Sequence, residues 1–97
     1  MVIRYFKARR DSIRAKKLEL LDRLLVLLKG SSDSGFSVLT VNQLIDDTLK
    51  ARLAIESGDH KANEMIARLF VPTGSMQDTS IDNGWSDEFL ELANHLC

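Results

Sequence analysis

The 97-residue sequence contains one cysteine and one proline, and it has no long run of apolar residues. The lone cysteine, Cys97, cannot form a disulfide within the chain, and the two histidines are not at metal-ligand spacing, so no metal site and no cofactor are predicted. The longest apolar run, residues 24–28, is far shorter than the ~20 residues of a membrane-spanning helix. The first ten residues do not resemble an export signal, so we expect a cytoplasmic protein without a membrane partner.

The net charge is small, but the charged residues are unevenly distributed. The net charge is −1, yet residues 1–29 carry nine Lys or Arg against three acids, a net charge of +6. The other 68 residues carry four Lys or Arg against eleven acids, a net charge of −7. Opposite charges attract, so we expect these two parts to attract one another, within one chain or between two chains.

The pattern of apolar residues predicts an all-α single domain over residues 1–97, similar to a four-helix bundle with a long first helix. Residues 5–29 lack both Gly and Pro and are followed by Gly30, which is typical of a helix and its end. Residues 1–6 have an alternative interpretation as a short strand. Shorter helices are predicted at about residues 41–57, 60–70 and 87–96.

The ends of the second and fourth helices have recognisable signals. Thr40 can cap the second helix while Gln43 reaches back to the backbone of Thr40, and Gly58 can end it. Trp85 is predicted to pack on Leu90 at the start of the fourth helix. The predicted apolar face of the second helix consists of Val41, Leu44, Ile45, Leu49 and Leu53.

Residues 71–85 are predicted to be an ordered connection between two helices. Gly74 and Gly84 would supply backbone angles that other residues resist, and Ile81 would pack inward. Long ordered connections often have a function. This one concentrates short polar side chains on a constrained backbone, which suggests a small-molecule site as a less favoured hypothesis. The candidate ligand-binding residues are Thr73, Ser75, Gln77 and Asp78.

The segment "LELLDRLLVLL", residues 18–28, has eight apolar side chains in eleven positions. A helix that packs on one side needs an apolar stripe about 100° wide, so this segment must be covered on two sides or more. A seam with a seven-residue repeat suggests pairing with a second copy, and hence a homodimer. The seam residues are Phe6, Ile13, Leu20 and Leu27. Alternatively, the chain's own helices wrap the leucine-rich half while the basic half projects into water.

Arg4, Lys7, Arg14 and Lys17 form a basic row on one face of the first helix. Such a row can lie along nucleic-acid phosphates, but the chain has no known nucleic-acid-binding motif, and its isoelectric point is near 6.1. We therefore favour a solvated row or one that docks on an acidic partner.

The C-terminal third resembles a small uncharacterised bacterial family of the kind carried by mobile elements such as phages and integron gene cassettes. The resemblance depends on Leu69, Phe70, Gly74, Ser75 and Asp78, followed by "NGWSDEFLELANHL". It implies a helical protein, and no activity can be carried over from it. The sequence as a whole therefore predicts a non-catalytic interaction protein that associates with itself, or with another protein, through its first helix. Nucleic-acid binding is the alternative.

Overall fold

The computed structural model of the protein describes residues 2–71 and 74–97, with side chains from residue 12 onward. The predicted all-helical class is confirmed, since these residues form helices and no strand. Five helices are present in this part of the chain, one more than predicted. They are α1 (Val2–Lys29), α2 (Val41–Ser57), α3 (Ala62–Leu69), α4 (Ser75–Asp82) and α5 (Ser86–Leu96).

Helix α1 extends from Val2 to Lys29 and ends just before Gly30. Residues 2–6 belong to it, so the alternative of a short strand is wrong. At ~1.5 Å per residue, its 28 residues span about 42 Å. The molecule measures 53 × 22 × 21 Å, so this helix is much longer than the molecule is wide.

Helix α2 has the predicted ends but a different buried face. The Thr40 hydroxyl accepts from the Gln43 N–H, and the Gln43 side chain accepts from the Thr40 N–H. Gly58 ends the helix in the left-handed conformation, with φ of 72°. The predicted face is wrong at Leu49 and Leu53, which are 48% and 64% exposed. Small or polar residues are buried instead, because they let α2 pack closely against its neighbours; they include Thr48, Ala51 and Ala54.

The predicted connection at residues 71–85 contains a helix, α4, which corrects the sequence-based interpretation. Its buried residues are spaced i, i+3 and i+4, as expected for a helix that packs on one side, but two of them are polar; they are Met76, Thr79 and Ser80. Ile81 does not pack inward, since it is 55% exposed. Gly74 has an ordinary φ of −84°, and its requirement is space, because a Cβ there would lie 2.9 Å from the Val71 carbonyl oxygen.

One hydrophobic core joins all five helices. From α1 it takes Leu21, Leu24 and Leu28, each of which is fully buried. Trp85 is also part of this core, and its indole N–H donates to the Ser31 hydroxyl at 2.8 Å. The predicted packing of Trp85 on Leu90 is not what fixes α5, because Leu90 is 56% exposed. The remaining core residues are Val41, Leu44, Ala51, Ala54, Ile55, Ala62, Ile66, Leu69, Phe70, Met76, Phe89, Leu92 and Leu96.

Candidate functional site

The N-terminal half of α1 extends beyond the rest of the molecule. Residues 12–16 are all exposed, and among the described side chains of α1 the first buried one is Leu21. Lys17, the next residue of α1 after this exposed segment, donates to the Asn63 side chain near the start of α3 at 2.8 Å. We call residues 2–16 the arm and residues 17–97 the body. The arm carries six Lys or Arg and one Asp, a net charge of +5, which leaves −6 for the body.

A cleft of about 260 Å³ lies where the arm leaves the body. Ile13 and Arg14 of the arm form one wall, and Ile55, Asp59 and His60 contribute to the opposite wall. The Ile13 side chain is 50% exposed there. A half-exposed isoleucine beside an open cleft is a position that a partner can cover.

The predicted seam is divided between the arm and the body. Leu20 and Leu27 are partly buried against the chain's own core, whereas Ile13 stays half exposed. The Phe6 side chain lies outside the described residues. The leucine-rich segment is thus largely covered by its own chain, and its most exposed apolar residue is Val26 at 60%. This is the alternative arrangement, in which the helices wrap the leucine-rich half and the basic half projects.

The basic row is also divided. Arg14 is exposed on the arm, and Lys17 is half-buried in its bond to Asn63. The side chains of Arg4 and Lys7 lie outside the described residues. Of the described pair, Arg14 alone faces solvent without such a bond to the body, so a nucleic-acid contact through this row would depend on the arm.

Three of the four candidate ligand residues lie on α4 rather than on a loop. The Ser75 hydroxyl accepts from the Leu39 N–H at 3.1 Å, and the Gln77 carbonyl accepts from a side chain within α4. Asp78 is half-buried one turn into the helix, and Thr73 lies outside the described residues. The structure therefore gives the Ser75 hydroxyl a structural role.

Polar side chains within residues 71–85 form hydrogen bonds to the loop between α1 and α2. The sequence analysis did not predict this role. The Asn83 side chain accepts from the Ser32 N–H at 2.9 Å and donates to the Ser32 carbonyl at 2.8 Å. The Ser34 hydroxyl donates to Asp82. The only available signal was the concentration of Ser, Asp and Asn in both segments, and such residues also form bonds within their own loop.

The exposed side of α5 is acidic, and sequence analysis did not single it out. Residues 69–97 contain five acids and no Lys or Arg. Four residues at i, i+3, i+4 and i+7 of α5 are exposed, and we call them the acidic face: Asp87, Leu90, Glu91 and Asn94. Leu90 is thus an exposed apolar residue with acidic neighbours on the helix surface. Neighbouring Glu88 is already bound by Arg23, with N to O distances of 2.8 to 3.0 Å.

The described residues offer little for catalysis. Burial raises the pKa of the Cys97 thiol, and nearby Lys17 opposes this rise only in part. A nucleophilic cysteine needs a lowered pKa instead. His60 and His95 are both exposed. In residues 2–71 and 74–97, no group of three or more His, Cys, Asp or Glu is placed to hold a metal ion, and no helix is long and apolar enough to cross a membrane.

Comparison with protein-family models, curated proteins and solved structures finds no match. The resemblance of the Leu69 to Asp78 motif to a mobile-element family therefore stays a prediction.

Proposed function

We propose that this chain is a non-catalytic interaction domain, similar to a helical bundle, that associates with itself through the arm of α1. The observation that supports it most is the exposure of all five residues 12–16, with Ile13 half exposed among them. The leucine-rich segment does not support self-association, because the body buries most of its leucines.

The length of the arm adds a second reason. An isolated helix of about 15 residues is marginal in water, since most helical stability in proteins comes from packing of an apolar face. The arm has no packing partner in the described part of its own chain beyond the cleft at Ile13. Contact with a second molecule would supply that packing.

The test is the molar mass in solution by light scattering across protein concentrations. We expect a dimer for the natural sequence and a monomer for Ile13→Asp. Val26→Asp is the matched control, because Val26 is also a half-exposed β-branched residue of α1 but lies within the body. A natural sequence that stays monomeric at high concentration would refute self-association.

Nucleic-acid binding is the second candidate, and the exposed Arg14 on an arm of net charge +5 favours it. It predicts retention on DNA or RNA that falls steeply with salt concentration and is weakened by Arg14→Glu. The body opposes it, because its net charge of −6 repels phosphates.

A further inference from the structure

We propose that the arm docks on the acidic face of a second copy of this chain, and that the contact is reciprocal. Each copy would place its arm along the α5 of the other, in a two-fold dimer. This inference rests on the proposed function and specifies which surface the arm meets.

Charge argues against a dimer in which two arms pair side by side. Such a seam would bring together two segments of net charge +5 each. Like charges at that range repel, and they do so most at low ionic strength. An arm that packs on the acidic face instead brings together opposite charges.

The acidic face still lacks cations. Within the described part of the chain, neither Asp87 nor Glu91 forms an ion pair. The three arginines of the body, and one of its four lysines, already have acidic partners on the body itself. Those pairs are Arg23 with Glu88, Lys50 with Asp46, Arg52 with Asp22, and Arg68 with Glu64. The arm is therefore the main remaining source of positive charge.

The arm cannot reach the acidic face of its own chain. Glu88 lies beside Arg23, and His95, further along α5, shares a cleft with Leu20, so α5 runs antiparallel to α1 and ends near the point where the arm leaves the body. Because α1 is one continuous helix, the arm points away from α5 and cannot fold back onto it. Only another molecule can bring the two surfaces together.

The apolar centres of the two surfaces also match. Ile13 is 50% exposed and is followed by Arg14 and Lys16, while Leu90 is 56% exposed beside Asp87 and Glu91. The arm spans about 22 Å and α5 about 16 Å at ~1.5 Å per residue, so the arm is long enough to cover α5. One apolar contact bordered by opposite charges is a common arrangement at protein interfaces.

The test reverses charge on each surface. The arm variant is Arg14→Glu with Lys16→Glu, and the face variant is Asp87→Lys with Glu91→Lys. We expect each variant alone to weaken the dimer at least tenfold in sedimentation equilibrium. An equimolar mixture should restore dimers, because in one contact of the mixed dimer the new glutamates of the arm meet the new lysines of the face, and the other contact is the natural one.

A control variant separates the surface from net charge. Asp46→Lys with Glu64→Lys makes the same charge change on α2 and α3, and it should leave the dissociation constant within about twofold of the natural value, since exposed ion pairs contribute little. The natural dimer should weaken as salt is raised. Circular dichroism confirms that each variant is folded.

Three results would overturn this inference. A face variant that dimerises as tightly as the natural sequence, while Ile13→Asp is monomeric, leaves self-association intact and refutes the acidic face. A dimer that strengthens with salt indicates arms paired with each other. A natural sequence that stays monomeric and binds nucleic acid through Arg14 refutes both proposals.

Discussion

Two buried threonines are predicted to change the free energy of unfolding in opposite directions when each is replaced by valine. Thr79 of α4 and Thr48 of α2 are both 0% exposed. The Thr48 hydroxyl donates to the Leu44 carbonyl at 2.8 Å. The Thr79 hydroxyl has no hydrogen-bond partner among the described residues. Replacing each threonine by valine exchanges the hydroxyl for a methyl group of similar size, so the two substitutions differ mainly in the bond that is lost.

The magnitudes follow from the two environments. A buried hydroxyl without a partner costs about 1–3 kcal/mol, so Thr79→Val should raise the free energy of unfolding by about 1 kcal/mol. A satisfied hydrogen bond contributes about 0.5–1.5 kcal/mol to stability, so Thr48→Val should lower the free energy of unfolding by about that amount. Threonine and valine have similar helix propensities, which leaves little other difference.

Urea unfolding followed by circular dichroism measures both variants at one fixed protein concentration, because association would also change the apparent stability. For a domain of this size, 1 kcal/mol corresponds to a shift of about 4–8 °C in Tm. The reasoning fails if Thr79→Val is destabilised as much as Thr48→Val. That result would mean that the Thr79 hydroxyl is hydrogen-bonded in solution.

Three further predictions concern stability. Gly58→Ala should cost about 1 kcal/mol in urea unfolding, because φ is 72° there, whereas Gly35→Ala, with open space and no positive φ, should be close to neutral. Asn83→Ala should cost about 1–2 kcal/mol and speed amide hydrogen exchange in the loop between α1 and α2, and unchanged exchange would contradict its role there. The hydrogen bond and charge of Arg52 lower the pKa of Asp22, so this pair stabilises the fold above the ordinary carboxyl pKa and loses its effect as pH falls through the lowered value. The stability difference between the natural sequence and Asp22→Asn should therefore shrink below about pH 4, and a difference that grows on acidification would reverse the assigned sign.

Signals confined to a few neighbouring residues were sufficient to predict the ends of α2. Thr40, Gln43 and Gly58 act on backbone groups within four positions of themselves, so their effect can be worked out without knowing the rest of the fold. The same holds for the end of α1 at Gly30. The helical class and the long first helix followed from composition and periodicity for a similar reason.

Features that depend on distant residues were not predictable. Helix α4 has polar residues at two of its buried positions, Thr79 and Ser80, so its apolar periodicity is hidden. The side chains of α2 rotate relative to the predicted face because Ala51 and Ala54 allow a close approach. Neither the existence of α4 nor the buried face of α2 can be predicted from the local sequence, since each depends on which helix packs against it.

The candidate site also combines features that local sequence predicts with features that depend on distant residues. The sequence indicated that the first helix has a leucine-rich half and a basic half, but it could not tell which part the body covers. The answer depends on where the other helices meet α1, as in the hydrogen bond between Lys17 and Asn63, which are 46 positions apart. Ile13 and Leu20 belong to one predicted seam, yet the end of the body lies between them.

The two halves of α1 serve different physical needs, and their sequences reflect this. From Lys17 to Lys29 the helix spans about 20 Å, close to the ~16 Å of α5 and the ~26 Å of α2, so the body can cover only this half. The leucines of α1 are concentrated in this half, where the other helices can cover them. The Lys and Arg residues are concentrated in the half that the body does not cover. A chain that needed only to fold could begin its first helix near Lys17; contact with another molecule, as proposed above, would account for the extension of that helix as a basic arm, beside an acidic face that it cannot reach in its own molecule.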